Sequence, residues 1–181
     1  MRFTPGLLLL VTACAPSGDA FVPAIEDPPP LARTGNAWSD CYRRFQPTSD
    51  PAGDIDRLAA ACAAPAGMRA LTPLHDGAAQ GASDAAERFQ IRVRKGRCYR
   101  AFAVGAPGVE DLDVAVYDAS GQLAAADVSR DRWPVVPPRG PACAEHDGLF
   151  TVAVAVRRGY GPYVMQVWGT DREARGSHAR W

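Results

Sequence analysis

Five cysteines, Cys14, Cys41, Cys62, Cys98 and Cys143, constrain this 181-residue chain more than any other feature. An odd set cannot be fully paired within one chain, so one member has a different use. Cys14 is set apart by its surroundings. Met1 and Arg2 supply a short positive end, and Phe3 to Ala13 form an apolar stretch built on Leu7, Leu8, Leu9, Leu10 and Val11. Spanning a bilayer takes about 20 residues, and this stretch is far shorter. A positive end, a short apolar region and small residues after it are the pattern of a secretory signal rather than of a folded helix. The remaining four cysteines then form an even set in a chain that folds in an oxidising compartment, where two disulfides are the default.

The residues around Cys14 sharpen this reading. Val11-Thr12-Ala13-Cys14 resembles the lipobox of bacterial lipoproteins, with an aliphatic residue, two small ones and the cysteine that is acylated and becomes the new N-terminus. The resemblance implies a signal peptide over 1–13, fatty acyl chains such as palmitate on Cys14, and a membrane anchor in the cell envelope. Ala15 rather than Asp follows the cysteine, which in Gram-negative lipoproteins implies the outer membrane. Residues 14–35 contain Pro16, Pro23, Pro28, Pro29 and Pro30 with little apolar periodicity, as expected of a semi-rigid tether.

Formal net charge is zero and Lys95 is the only lysine, so the chain has no electrostatic footprint for nucleic acid. After the tether, the chain is long enough for one core with a small appendage. The appendage is expected over 36–70. Trp38, Cys41, Tyr42 and Phe45 fall at i, i+3, i+4 and i+7 and share a helical face. Asp50-Pro51 reads as a cap and first position of a second helix, with Ile55, Leu58, Ala59 and Cys62 on one side and Pro65 and Gly67 closing it. Of the three possible pairings, Cys41–Cys62 with Cys98–Cys143 is preferred, because each bridge then lies within one structural unit. Each would contribute about 3 to 4 kcal/mol by restricting the unfolded chain. A four-cysteine metal site is disfavoured by the absence of any C-x-x-C pair.

Residues 71–84, rich in Gly, Ala and Pro, read as a linker or irregular edge. Beyond them the period changes to two. Phe89, Ile91 and Val93 alternate with Gln90, Arg92 and Arg94, and Lys95-Gly96 makes a turn. Cys98 to Val104, Leu112 to Tyr117 and Leu123 to Ala126 are further strands. Two more are expected at Phe150 to Val156 and Tyr163 to Val167, with Gly159 to Pro162 turning between them. Short alternating strands without intervening helices predict a mainly β fold, an antiparallel β-sandwich over 85–170 preceded by the stapled helical hairpin. Residues 171–181 read as a disordered tail.

Within 85–170, three stretches carry a resemblance: Asp111-Leu112-Asp113-Val114 with Tyr117-Asp118 and Gly121, Gly148-Leu149-Phe150-Thr151-Val152, and Gly161-Pro162-Tyr163-Val164-Met165-Gln166-Val167. They resemble the bacterial pre-peptidase C-terminal (PPC) domain. The resemblance implies a small β-sandwich of jelly-roll character, attached to exported proteins, with relatives that recognise polypeptides. Cys98 and Cys143 depart from the family pattern.

Motifs for catalysis are absent. There is no G-x-S-x-G, no H-E-x-x-H and no phosphate-cradling glycine loop, and His75, His146 and His178 lack metal-ligand spacing. No cofactor is expected. Asp111 and Asp113 are the candidates for calcium, because alternation puts both carboxylates on one strand face; the plainer reading is a polar face. Arg130-Asp131-Arg132-Trp133-Pro134 is the candidate recognition loop, with Trp133, Arg130 and Arg132 as anchors in a proline-stiffened segment. The competing reading has Trp133 capping the core, held by Cys98–Cys143. Function is thus expected to be that of a non-catalytic envelope lipoprotein binding a polypeptide or glycan. The alternatives are an assembly lipoprotein that docks a protein partner, or a hydrolase whose site no motif reveals.

Overall fold

The computed structural model of the chain describes residues 37–170 together with the Ala179–Arg180 pair. Cys14, the expected signal peptide and tether, His178 and most of the expected tail lie outside the described residues. None of the described helices is long and apolar enough to cross a membrane.

Two helices come first, α1 over Ala37–Arg43 and α2 over Pro51–Cys62, followed by a 3-10 turn at Ala64–Ala66. The predicted cap holds: the Asp50 side chain accepts the Gly53 amide at 3.1 Å, and Pro51 stands in the first turn, where no amide is needed. Asp54, fully buried, accepts the Thr48 amide and hydroxyl, which pins the loop between the helices. Among the described residues ten strands follow: β1 Arg69–Ala70, β2 His75–Gly81, β3 Glu87–Val93, β4 Cys98–Gly105, β5 Val109–Tyr117, β6 Leu123–Asp127, β7 Val135–Val136, β8 Ala142–Cys143, β9 Gly148–Gly169 and β10 Ala179–Arg180.

The architecture is the expected antiparallel β-sandwich with a disulfide-stapled helical unit, and two corrections bear on how it is built. Residues 71–84 are not simply a linker, because β2 pairs antiparallel with β9 from His75↔Met165 to Gly81↔Tyr160, with a bulge between Gly77 and Gln80. The two expected C-terminal strands are one continuous strand. β9 runs 22 residues, pairing with β3 and β5 in one sheet and with β1, β2 and β4 in the other. Gly159 allows this. Its φ of 85° bends the strand, and a Cβ there would fall 2.3 Å from the Gly108 carbonyl, so the strand changes sheets by bending instead of turning back. Ala179–Arg180, within the expected tail, pairs in parallel with β8.

Alternation along β4 and β9 sorts residues into two cores. Tyr99, Ala101 and Ala103 face the other sheet together with Tyr163, Met165 and Val167, where they meet Ile91, Val93, Leu112, Val114, Val116, Phe150, Val152, Val154 and Val156. Phe102, Val104 and Val164 face the opposite way, against Tyr42, Ile55, Leu58, Ala59 and Cys62. The helices therefore form a third layer on the sheet instead of standing apart. β4 is buried along its whole length because both of its faces are covered.

Candidate functional site

Arg100 occupies a position that alternation assigns to the helical face of β4, between Tyr99 and Ala101 of the sandwich core. It is fully buried. A buried guanidinium must satisfy its five donors inside the protein. Here Nε donates to the Pro137 carbonyl at 3.2 Å, Nη1 to the Cys62 carbonyl at 3.4 Å, and Nη2 to the carbonyls of Trp38 at 3.1 Å and Pro138 at 3.3 Å. The rings of Trp38, Tyr42 and Phe102 surround it, with the guanidinium carbon 5.5 to 5.7 Å from their centroids. Tyr42 also donates to the Pro138 carbonyl at 2.8 Å. One side chain thus ties α1, the end of α2 and the Pro137-Pro138 segment to β4. Burial pushes the Arg100 guanidinium down to about 10, so it is still a cation at neutral pH.

The same junction holds the Cys41–Cys62 disulfide, which joins α1 to the last residue of α2. Beside it lies a groove of about 290 Å³ lined by Trp38, Cys41, Ala61, Cys62, Pro65 and Ala66. Its lining is aliphatic, aromatic and sulfur, the character of a site for an apolar side chain. Trp38 entered the sequence reading only as one member of a helical stripe. Arg100 had no signal at all, since an Arg inside an alternating strand reads as a solvent-facing residue.

The second disulfide, Cys98–Cys143, joins β4 to β8, so the four cysteines beyond Cys14 pair in the preferred connectivity.

The expected recognition loop is not brought together as a surface. Arg130 is exposed, whereas Arg132 donates to the Gly105 carbonyl and to the Thr48 carbonyl, the latter at 2.8 Å, bracing the loop before α2. Trp133 is half-buried in the core under the helices, with its ring 6.4 Å from that of Phe45. Its indole nitrogen is buried without a hydrogen-bond partner. The ring caps the core beneath the helices, where it meets Phe45.

The calcium candidates Asp111 and Asp113 sit in different surroundings. Asp113 is buried and its Oδ2 accepts Arg157 Nε at 2.7 Å. The β5 strand is irregular on both sides of Asp111, where register shifts interrupt the alternation that placed the two acids on one face. One Asp111 oxygen is buried without a hydrogen-bond partner, and burial raises its carboxyl above the ordinary value. Among the described residues no group of three His, Cys, Asp or Glu side chains is placed to hold a metal ion.

A cluster the sequence did not signal sits where the two sheets meet. His75 of β2 lies 2.9 Å from Glu87 Oε1 of β3, and Tyr163 of β9 donates to Glu87 Oε2 at 2.8 Å. The Ala78 amide, released by the β2 bulge, donates to the same oxygen at 3.2 Å. His75, the first residue of β2, also lies against Phe89, with ring centroids 4.6 Å apart. Burial pulls the Glu87 carboxyl upward, but hydrogen bonds from Tyr163, His75 and Ala78 outweigh it and hold it below its ordinary value. Burial, and then the bond to Glu87, raise Tyr163 far above the usual phenol range. A proton held this firmly suits Tyr163 to fastening β9 to β3, not to proton transfer near neutral pH.

Compared with known proteins, the chain matches no family model and no curated relative.

Proposed function

We propose that this chain is a non-catalytic accessory lipoprotein of the cell envelope, held to the outer membrane through acylated Cys14, whose helical layer carries a binding site for an extended polypeptide. The observation that carries the reading is the cysteine pairing. Cys41 with Cys62 and Cys98 with Cys143 use up every cysteine except the one in Val11-Thr12-Ala13-Cys14. Two bridges fit folding in an oxidising compartment, and the unmatched cysteine sits where lipidation would use it. The PPC-like strand pattern supports a module attached to exported machinery.

The groove beside Trp38 supports a polypeptide over a glycan. A sugar needs several convergent polar groups, whereas the lining offers Ala61, Pro65, Ala66, the disulfide and an aromatic ring. A volume near 290 Å³ suits one or two apolar side chains of an extended segment.

The test is Cys14→Ser. The variant is expected to lose incorporation of labelled palmitate and to leave the membrane fraction, since each acyl methylene contributes about 0.8 kcal/mol to membrane binding and stable anchoring takes more than one chain. Unchanged fractionation and labelling would overturn the lipoprotein reading.

A further inference from the structure

Arg100 poses a question that the binding site leaves unanswered. A fully buried cation is costly unless an anion accompanies it, and here the partners are four neutral carbonyls. Among the described residues no carboxylate lies within ion-pair distance of Arg100. Asp127 influences it from farther away, and that carboxylate is committed to the amides of Ser129 at 3.0 Å and Val135 at 2.9 Å. Two side chains that face the guanidinium carry a group able to become an anion, the Tyr42 phenol and Cys41, and a thiol is the more acidic of the two groups. Cys41 Sγ lies 3.9 Å from Arg100 Nη1. In the bridged state that sulfur is neutral. As a thiolate it would be the counter-charge the buried guanidinium lacks, and a neighbouring cation stabilises a thiolate.

The second observation is access. Cys41 is half-buried, and both half-cystines line the groove beside Trp38. In each bridge one sulfur residue is buried, Cys62 or Cys98, and one is half-buried, Cys41 or Cys143, so what sets Cys41–Cys62 apart is the groove that both of its residues line. A reagent approaching through the groove therefore meets sulfur at the Cys41–Cys62 bridge.

We infer that Cys41–Cys62 is a thiol–disulfide exchange site for a dithiol reductant, with Arg100 as the counter-charge of the Cys41 thiolate. The incoming thiolate bonds to Cys41 Sγ as the Cys41–Cys62 bond breaks, and Cys62 leaves as a thiolate that takes up a proton. The second thiol of the reductant, deprotonated, then displaces Cys41 and closes the reductant into a cyclic disulfide. Two electrons pass to the protein, which ends with Cys62 as a thiol and Cys41 as a thiolate beside Arg100, and one of the two protons of the reductant goes to solvent. Tyr42, packed against the guanidinium from α1, donates its hydroxyl to the Pro138 carbonyl. Arg100 makes no bond to the reductant and acts as a positioning residue. Opening the bridge releases α2 from α1 beside the groove, so reduction would also change the proposed peptide site.

The test uses the full chain, graded dithiothreitol at pH 7, quenching by alkylation and peptide mapping of each cysteine. Cys41 and Cys62 are expected to become labelled at dithiol concentrations at least tenfold below those needed for Cys98 and Cys143. In the reduced protein, iodoacetamide labelling of Cys41 should be half-maximal at least one pH unit below the ordinary thiol value of about 8.5. Arg100→Lys should keep a lowered midpoint, and Arg100→Gln should return it toward the ordinary value. If Arg100→Gln does not fold, the wild-type and Arg100→Lys profiles decide. Simultaneous opening of both bridges, earlier opening of Cys98–Cys143, or an ordinary pH profile at Cys41 would each overturn the inference. None of these readouts involves Cys14 or the membrane.

Discussion

Gly77 on β2 lies flat against the ring of Tyr163 on β9, so closely that a Cβ at position 77 would fall 2.2 Å from the ring carbons Cε1 and Cζ. The missing side chain makes room for a ring whose hydroxyl reaches Glu87 on the other sheet. Gly77→Ala is therefore expected to act as an overpacking substitution, costing about 1 to 3 kcal/mol and lowering the thermal midpoint by several degrees. An unchanged midpoint in scanning calorimetry would show that the ring is free to move aside.

Glu87 should make the protein acid-sensitive. Its carboxyl titrates below the ordinary value when folded, so its contribution is fully present above the unfolded value of about 4.3 and is lost as pH falls through the folded one. Glu87→Gln is expected to flatten the fall in stability below about pH 4.3. At neutral pH the variant should cost about 1 to 2 kcal/mol, because the amide cannot accept from Tyr163, His75 and Ala78 as the carboxylate does. Urea unfolding at a series of pH values measures both; parallel pH profiles would contradict the assignment.

Asp111 should behave with the opposite sign. Burial raises its folded-state value above the unfolded one, so ionised Asp111 costs stability, and that cost develops as pH rises through about 4. Asp111→Asn is expected to be more stable than wild type at pH 7 and to lose that advantage at pH 3. A variant less stable at pH 7 would mean that the nearby Arg158 and Arg130 outweigh the burial.

Trp133→Ala is expected to cost about 3 kcal/mol through the lost packing on Phe45 and the core beneath the helices. Trp133→Phe keeps a ring in place and removes an indole N–H that has no partner, so it should cost about 1 kcal/mol or less. Equal losses in the two variants would show that the nitrogen has a function the packing does not reveal.

Where burial repeats with the local period, the chain could be read directly. Leu112, Val114 and Val116, like Phe150, Val152, Val154 and Val156, are buried on one face as alternation requires, and Cys41 and Tyr42 face α2 as the helical stripe requires. β2 escaped because His75-Asp-Gly-Ala-Ala-Gln-Gly81 has no β-branched or aromatic residue, and its bulge separates the buried Gly77 and Gln80 by three positions instead of two. It is a strand only because β9 lends it partners. The passage through Gly159 to Pro162 looked like a turn since glycine and proline punctuate most chains, yet here they bend one strand between two sheets. Arg100 was invisible for a related reason. Its partners are backbone carbonyls at Trp38, Cys62, Pro137 and Pro138, which no side-chain pattern encodes.

Because β9 supplies pairing partners to five of the other strands across both sheets, neither sheet can come apart from the other without breaking a ladder on the same strand. Its slowest-exchanging amides, from Val152 in one layer to Val167 in the other, should open together at a single free energy, so that the sandwich melts as one foldon while the helical layer retains its own, lower threshold.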